Sequence, residues 1–160
     1  MRVILIIIGL AFGTCTFGQN KITGRWKPVF VSIDKIITAD IKKDTVFLSD
    51  TIDVALKSSK DPEGTKKMIQ AIIGMMAYKM QSMEQEFTAP DIYTEINKQT
   101  KTNNSGTYSF NETSNALTTV LGSTTVTYTV SFKNDHLVLA SELGSGPDSK
   151  RKFIVEYEKR

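Results

Sequence analysis

The chain is short of the residues that most often supply covalent cross-links and enzyme chemistry. Its 160 residues include one cysteine, Cys15, and one histidine, His136. A single cysteine cannot form a disulfide within the chain, so a folded domain here depends on its hydrophobic core. A chain of this length can bury such a core as one domain.

The inventory of reactive side chains also argues against catalysis and metal binding. No nucleophile motif stands near His136 that would complete a catalytic triad or dyad. Asp44, Asp50 and Asp53 lack the glycine and the ligand spacing of a calcium loop. The sequence therefore predicts a protein that is not an enzyme and that uses no cofactor and no metal ion.

The chain carries little excess charge of either sign. Its formal net charge is +3, from 20 basic and 17 acidic residues that interleave along the sequence. Proteins that bind nucleic acids usually present a dense basic face. We therefore expect no nucleic-acid partner.

The first residues have the order of a secretory signal peptide. Arg2 precedes an apolar run over residues 3–12, and small residues follow up to Gly18. The run is shorter than the roughly 20 apolar residues that span a bilayer. We therefore predict that residues 1–18 are removed, and that residues 19–160 form one exported domain, periplasmic or secreted.

A lipoprotein is the alternative, because Cys15 stands within the same segment. Bacterial lipoproteins are cut just before a cysteine that then carries lipid, and Gly13 and Thr14 suit that cut. Phe12 stands where an aliphatic residue is usual. Contact with a membrane is expected only if Cys15 is lipidated and tethers the domain.

One segment has helical periodicity. Asp61 suits an N-cap, Pro62 suits the first helical position, and Pro90 ends the pattern. Apolar residues between them recur at steps of three and four: Ile69, Ile72, Ile73, Met76, Met80, Met83 and Phe87. These features predict a helix over about residues 62–87.

Most of the remaining chain has the alternation of β-strands. In residues 24–31, Trp26, Pro28 and Phe30 fall on one face of a strand. Residues 32–59 favour short strands on a path that the pattern leaves open. After the helix, turns of two to seven residues separate five strands, an antiparallel meander that removes its exposed edges by closing. The fold class is thus mostly β, an up-and-down barrel with one inserted helix.

The segment Gly24-Arg25-Trp26 matches the Gly-x-Trp opening of lipocalins, and Gly106-x-Tyr108-x-Phe110 follows the helix. Over residues 22–158 the chain resembles the small lipocalin-like domains of exported bacterial proteins. The resemblance implies that Trp26 plugs the closed end of the barrel. It also implies that a basic residue of the last strand packs over Trp26, either Arg151 or Lys152, with Arg151 favoured. The chain departs from typical lipocalins in its lack of a disulfide and in a helix placed within the strand series.

The candidate ligand-binding residues are those expected in the barrel interior or in a helical lid above it. They are Tyr108, Phe110, Tyr128, Val130, Phe132, Met76, Met80 and Met83. Methionine suits surfaces that adapt to varied apolar partners, although the same residues would equally form the core of a filled barrel. We therefore hold two hypotheses, a carrier of a small hydrophobic molecule or lipid, and an interaction module of the bacterial cell envelope. The oligomeric state stays open.

Overall fold

A computed structural model of the chain describes residues 19–144 and 150–160. The predicted signal peptide, with Cys15, lies outside the described residues. Within them, three segments are helical: α1 (Gln19–Ile22), α2 (Thr51–Ala55) and α3 (Pro62–Gln81). Ten segments are strands: β1 (Gly24–Ile33), β2 (Ile37–Asp40), β3 (Thr45–Leu48), β4 (Met83–Thr88), β5 (Ile92–Asn97), β6 (Thr102–Asn111), β7 (Ala116–Leu121), β8 (Thr124–Lys133), β9 (His136–Leu143) and β10 (Arg151–Lys159).

Eight antiparallel strands close into a barrel, which confirms the predicted fold class. Strands β4 to β10 pair in sequence order, β4 then pairs with β1, and β1 closes the barrel against β10. Side chains alternate between the two faces of each strand, and the buried ones meet inside the barrel. Large members of this core are Trp26, Phe87, Tyr93, Leu117 and Leu139.

Strand β1 has two different partners along one edge. Gly24–Trp26 pairs with β4, whereas Phe30–Ile33 pairs with β2, which continues into the β2–β3 hairpin. A bulge between Pro28 and Phe30 adds one residue at the change of partner, so Val29 and Val31 are buried and Phe30 is only half-buried. The prediction that Phe30 shares the inner face with Trp26 is therefore wrong, because a bulge reverses the alternation beyond it.

The inserted helix α3 begins as predicted and ends earlier. The Asp61 carboxylate accepts a hydrogen bond of 2.9 Å from the Gly64 backbone nitrogen, and Pro62 is the first helical residue. The helix ends at Gln81, and the next segment, Met83–Thr88, is strand β4 rather than a continuation to residue 87. Positions 80, 83 and 87 fit helical steps, but 83, 85 and 87 also alternate along a strand. The polar Gln85 on that inner face hides the alternation.

Two further expectations from the pattern are corrected. Residues 51–56 alternate like a strand, yet Thr51–Ala55 is the short helix α2, with the Leu56 backbone nitrogen bonded to the Ile52 carbonyl at 2.9 Å. Short apolar runs fit either structure, and the tertiary setting decides between them. After α3 the described residues form seven strands rather than five. Strand β4 falls within the predicted helix, and β5 follows the period-two alternation of residues 91–98, which the five predicted strands do not include.

Trp26 lies at one end of the barrel, 2 % exposed, beneath the short helix α1. Its indole Nε1 donates a hydrogen bond of 2.7 Å to the Ile22 carbonyl. Lys159 Nζ lies 5.4 Å from the centre of the indole ring, within range of a cation–π contact. Gly24 has a φ of +130°, a backbone conformation that residues with a Cβ rarely adopt, so the backbone at this position requires glycine.

The basic residue over Trp26 is thus Lys159 and not Arg151. Arg151 begins β10 at the opposite end of the barrel, where its guanidinium lies 3.2 Å from an Asp34 carboxylate oxygen. Antiparallel pairing places the start of β10 beside Ile33 and its end beside Trp26. The resemblance therefore predicted the correct strand, β10, but a residue at the wrong end of that strand.

Candidate functional site

A partly enclosed cavity of about 150 Å³ lies where the last turn of α3 meets the barrel interior. It sits beside Pro28, at the place where β1 changes partner from β4 to β2. Strands β4, β8 and β10 supply most of its wall. The described residues that line it are Pro28, Met80, Met83, Glu84, Gln85, Tyr128, Phe153, Val155 and Tyr157.

The structure brings three of the predicted site residues to this cavity. Met80 from α3, Met83 from β4 and Tyr128 from β8 lie on its lining. Met83 reaches it as the first residue of a strand and not as part of a helical lid. The rest of the lining comes mainly from β10 and β4, whose contribution was not predicted.

The other predicted residues lie elsewhere in the barrel. Tyr108 and Val130 are buried in the core, and Phe110 and Met76 pack against that core while remaining partly exposed. Phe132 is 44 % exposed, and its ring lies 6.4 Å from that of Trp26 at the closed end. These five side chains help to fill the barrel or cover its closed end, and they do not line the cavity.

Helix α3 is apolar on two faces. Its inner face packs Ile73 and Ala77 against the barrel, with Met76 and Met80 partly buried beside them. Its outer face leaves Met68 58 %, Ile72 45 %, Met75 61 % and Tyr78 59 % exposed. Positions 68, 72 and 75 recur at helical steps and form one stripe, which we call the outer stripe of α3. A large apolar stripe of this kind is uncommon on a surface that meets only water.

The interior also contains a polar group that the sequence reasoning missed. Tyr93 on β5 is 1 % exposed, and its hydroxyl donates a hydrogen bond of 2.8 Å to Glu95 Oε1. Residues directly opposite on antiparallel strands face the same side, and Glu95 lies opposite Gln85 of β4. A carboxylate therefore stands on the inner face near the cavity. The signal was present in β5, where Tyr93 and Glu95 share the face opposite to Ile92 and Ile96.

Burial keeps the neighbouring tyrosines protonated. Desolvation raises the pKa of Tyr93 far above its usual value, and the nearby Glu95 raises it further. Desolvation likewise raises the pKa of Tyr157, with Tyr128 and Glu95 adding to the effect. The pKa of Tyr128 is also raised, mainly by burial. At neutral pH these groups are hydroxyls that can both donate and accept hydrogen bonds.

Two cavity-lining side chains carry oxygens that are buried without a hydrogen-bond partner in the described part of the chain. They are Oε1 of Gln85 and Oε2 of Glu84. The Glu84 side chain is 2 % exposed, and its Oε2 lies 3.9 Å from the Arg25 guanidinium. Adjacent residues of a strand face opposite sides, so Glu84 faces Arg25 on the outer side and Gln85 faces the interior. A buried polar atom without a hydrogen bond costs about 1–3 kcal/mol, so the Gln85 oxygen is an unusual feature of the inner face.

The Glu84 carboxylate is compensated by cations. Lys98 Nζ contacts its Oε1, and Arg160 Nε lies 3.4 Å from the same oxygen. Arg25, Lys98 and Arg160 are each about half exposed, so solvent reaches the cations while the carboxylate stays buried. This cluster ties the outer face of β4 to Arg25 of β1 and to Arg160 at the C-terminal end of the chain.

A polar cleft lies on the outside of the barrel wall at the same place. Its volume is about 480 Å³, and its lining includes Lys27, Pro28, Gln81 and Arg160. Pro28 lines both the cleft and the cavity. The Gln81 amide nitrogen donates a hydrogen bond of 3.1 Å to the Ile41 carbonyl across the gap between β2 and the end of α3. The barrel wall between the inner cavity and the outer cleft is therefore thinnest at Pro28, and the end of α3 covers this part of the wall.

No described helix is both long and apolar enough to cross a membrane. Within residues 19–144 and 150–160, no three histidine, cysteine or acidic side chains gather as a metal site.

Comparison with known proteins adds little to this description. No family model and no curated protein matches the chain. Among solved structures, a DUF4847 family protein from Bacteroides vulgatus ATCC 8482 is similar, with 14 % sequence identity over 86 % of this chain and 94 % of that chain and a TM-score of 0.47. At that identity and TM-score the likeness supports no argument about fold or function.

Proposed function

We propose that this chain is an exported, lipocalin-like binding protein that holds a small, mostly apolar molecule in the cavity between α3 and the barrel. The observation that carries the proposal is the cavity itself, which combines apolar walls from Met80, Met83, Phe153 and Val155 with a few polar groups. Sites for small molecules are mostly apolar with a small number of placed polar groups.

The volume limits the size of the ligand. A cavity of about 150 Å³ in another protein holds benzene, and the cavity here has about that volume. A molecule with one ring therefore fits without rearrangement. The methionine side chains of Met80 and Met83 are flexible and allow a modest range of shapes.

The route to the cavity is proposed at Pro28. Strands β4 and β2 pair with different parts of β1 and leave a gap between them at Pro28. Pro28 has no N–H that could bond to a neighbouring strand. Met80 and Gln81 at the end of α3 cover the gap. A small displacement of this last helical turn would open the cavity to the outer cleft.

Native mass spectrometry of the protein from its own exporting cells tests the proposal. We expect an added mass that organic extraction removes, and a chain that begins at Gln19 or at a lipidated Cys15. Unadorned protein that also fails to take up small aromatic probes would contradict the binding function. A chain that retains residues 1–18 unmodified would contradict export.

A filling substitution ties the bound mass to the cavity. Val155→Phe places a larger side chain on the lining, and we expect it to abolish the added mass. Val138→Phe is the matched control, because Val138 lies on β9 outside the cavity. Circular dichroism on both variants establishes that the barrel is intact.

The outer stripe of α3 favours a second candidate function, an interaction module of the cell envelope. Met68, Ile72, Met75 and Tyr78 present an apolar surface that another envelope protein could cover. A photo-crosslinking residue at position 75 in the native host tests this candidate. If another protein covers the outer stripe, we expect a discrete cross-linked adduct from position 75 and none from position 125 on the exposed face of β8. Equal labelling from both positions would count against it.

A further inference from the structure

The lining of the cavity contains a buried hydrogen-bond acceptor that lacks a partner among the described residues. Gln85 Oε1 is buried on the inner face of β4 and has no hydrogen-bond partner within the described ranges. The Tyr128 and Tyr157 hydroxyls on the lining are not bonded to this oxygen, and no lysine or arginine is among the described residues that line the cavity. Buried polar atoms in folded proteins almost always have a partner, so this arrangement predicts that a donor arrives with a ligand.

The neighbour across the sheet favours one direction of the Gln85 amide. Glu95 lies directly opposite Gln85, and its Oε1 accepts the hydrogen bond from Tyr93. A carboxylate favours the NH2 group of an amide over its oxygen, because only NH2 can donate. With NH2 turned to Glu95, Oε1 of Gln85 is the atom left for the cavity.

An anionic ligand in this cavity would face hydrogen-bond acceptors and no cation of the described lining. The cations around Glu84, namely Arg25, Lys98 and Arg160, contact its carboxylate from outside the described lining. A ligand carboxylate in the cavity would instead approach Gln85 Oε1 without gaining a cation from the described lining. Like charges and facing acceptors repel.

We propose that the ligand of this cavity carries a hydrogen-bond donor, a hydroxyl or amine on a small apolar body, and that Gln85 Oε1 accepts from it. The inference rests on the proposed binding function and adds the chemical class of the ligand. It excludes fatty acids and other carboxylates as the preferred occupants.

Isothermal titration calorimetry with matched ligands tests this assignment. Phenol and toluene have nearly the same shape and differ in one hydroxyl donor, and benzoate supplies the anion. The protein is residues 19–160, either unchanged or as Gln85→Met, which removes the amide and keeps the length of the side chain. Gln99→Met is the control, because Gln99 is exposed and lies off the cavity.

The measured quantity is the ratio of the Kd of toluene to the Kd of phenol. One hydrogen bond corresponds to about a tenfold change in affinity. We therefore expect Gln85→Met to lower this ratio about tenfold and Gln99→Met to leave it unchanged. Benzoate should bind the unchanged protein more weakly than phenol.

The outcomes separate this inference from the function on which it rests. If toluene binds and Gln85→Met leaves the ratio unchanged, the cavity binds ligands but the donor assignment is overturned. Tighter binding of benzoate than of phenol overturns it too. If the unchanged protein binds none of the three, the binding function fails and the assignment fails with it.

Discussion

The Tyr93 hydroxyl donates a hydrogen bond of 2.8 Å to Glu95 Oε1 on the inner face of β5. The two residues are two positions apart on one strand, so both face the barrel interior. The pair places a charged acceptor in an interior that is otherwise mostly aromatic and aliphatic. It also couples the stability of the barrel to alkaline pH.

Tyr93→Phe should destabilise the protein at neutral pH and lose that effect in alkali. A hydrogen bond to a charged group contributes about 1.5–3 kcal/mol, so the free energy of unfolding should fall by that order. The pKa of Tyr93 is raised in the folded state above its ordinary value of 10.0. Above that pH the unfolded chain releases the proton and the folded chain keeps it, so the stability of the unchanged protein falls as pH rises.

Urea unfolding across the alkaline range measures this effect. The difference between the unchanged protein and Tyr93→Phe should narrow as pH rises above about 10. A difference that stays constant, while both proteins remain folded, would show that Tyr93 does not carry the alkaline dependence.

Lys159→Met should alter the surroundings of the only tryptophan, and Arg151→Met should not. Lys159 Nζ lies over the Trp26 ring, whereas Arg151 pairs with Asp34 at the other end of β10. We expect Lys159→Met to shift the emission of Trp26 and to cost about 0.5–1 kcal/mol, the value of an exposed cation–π contact. An equal shift from Arg151→Met would contradict the placement of Lys159.

Glu84→Gln should cost far more stability than Glu86→Gln on the same strand. Glu84 is buried and pairs with Lys98 and Arg160, while Glu86 is partly exposed and pairs with Arg25 at 3.1 Å. Removing one partner of a buried ion pair costs up to about 3–5 kcal/mol. The half-exposed cations here can be hydrated, so we expect about 1–3 kcal/mol for Glu84 and at most about 1 kcal/mol for Glu86.

Chemical denaturation of the two variants tests this comparison. Glu86→Gln is the matched control because it makes the same change two residues further along the same face of β4. Equal losses from both variants would mean that burial of Glu84 adds nothing to the cluster.

Glu158→Gln should reduce the loss of stability in acid. A hydrogen bond from Lys42 lowers the pKa of Glu158 below its ordinary value of 4.5. The contribution of this carboxylate is therefore present above about pH 4.5 and is lost as pH falls through the lowered pKa. The pair is partly exposed and contributes at most about 1 kcal/mol.

Thermal unfolding from neutral to acidic pH follows this contribution. The melting temperatures of Glu158→Gln and the unchanged protein should differ at neutral pH and converge in acid. If the two melting temperatures differ by the same amount at every pH, Glu158 does not contribute to the loss of stability in acid.

The sequence predicts the barrel because its strands alternate clearly and its turns are short. Residues 124–132 are the best case, with Val130 buried and Thr129 exposed as the alternation requires. The same rule fails at residues 83–88, because the inner face of β4 carries Gln85 between Met83 and Phe87. A polar residue that faces a cavity interrupts the pattern by which an inner face is recognised.

The candidate site was predictable only in part for the same reason. Met80, Met83 and Tyr128 are apolar or aromatic and were found by their spacing, whereas Gln85, Glu95 and Tyr157 depend on which strand ends meet. Lys159 illustrates this limit, since its contact with Trp26 follows from the register of β1 and β10. Register joins residues that are distant in sequence, and no local pattern in one chain encodes it.

The most direct measurement of the central claim is a phenol titration followed by NMR of the methionine methyl groups. Met80 and Met83 line the cavity, and Met68 and Met75 on the outer stripe of α3 are internal controls. We predict saturable shifts of the Met80 and Met83 resonances, with Met68 and Met75 unmoved. Shifts confined to Met68 and Met75, or no saturable shift at Met80 and Met83, would contradict ligand binding in this cavity.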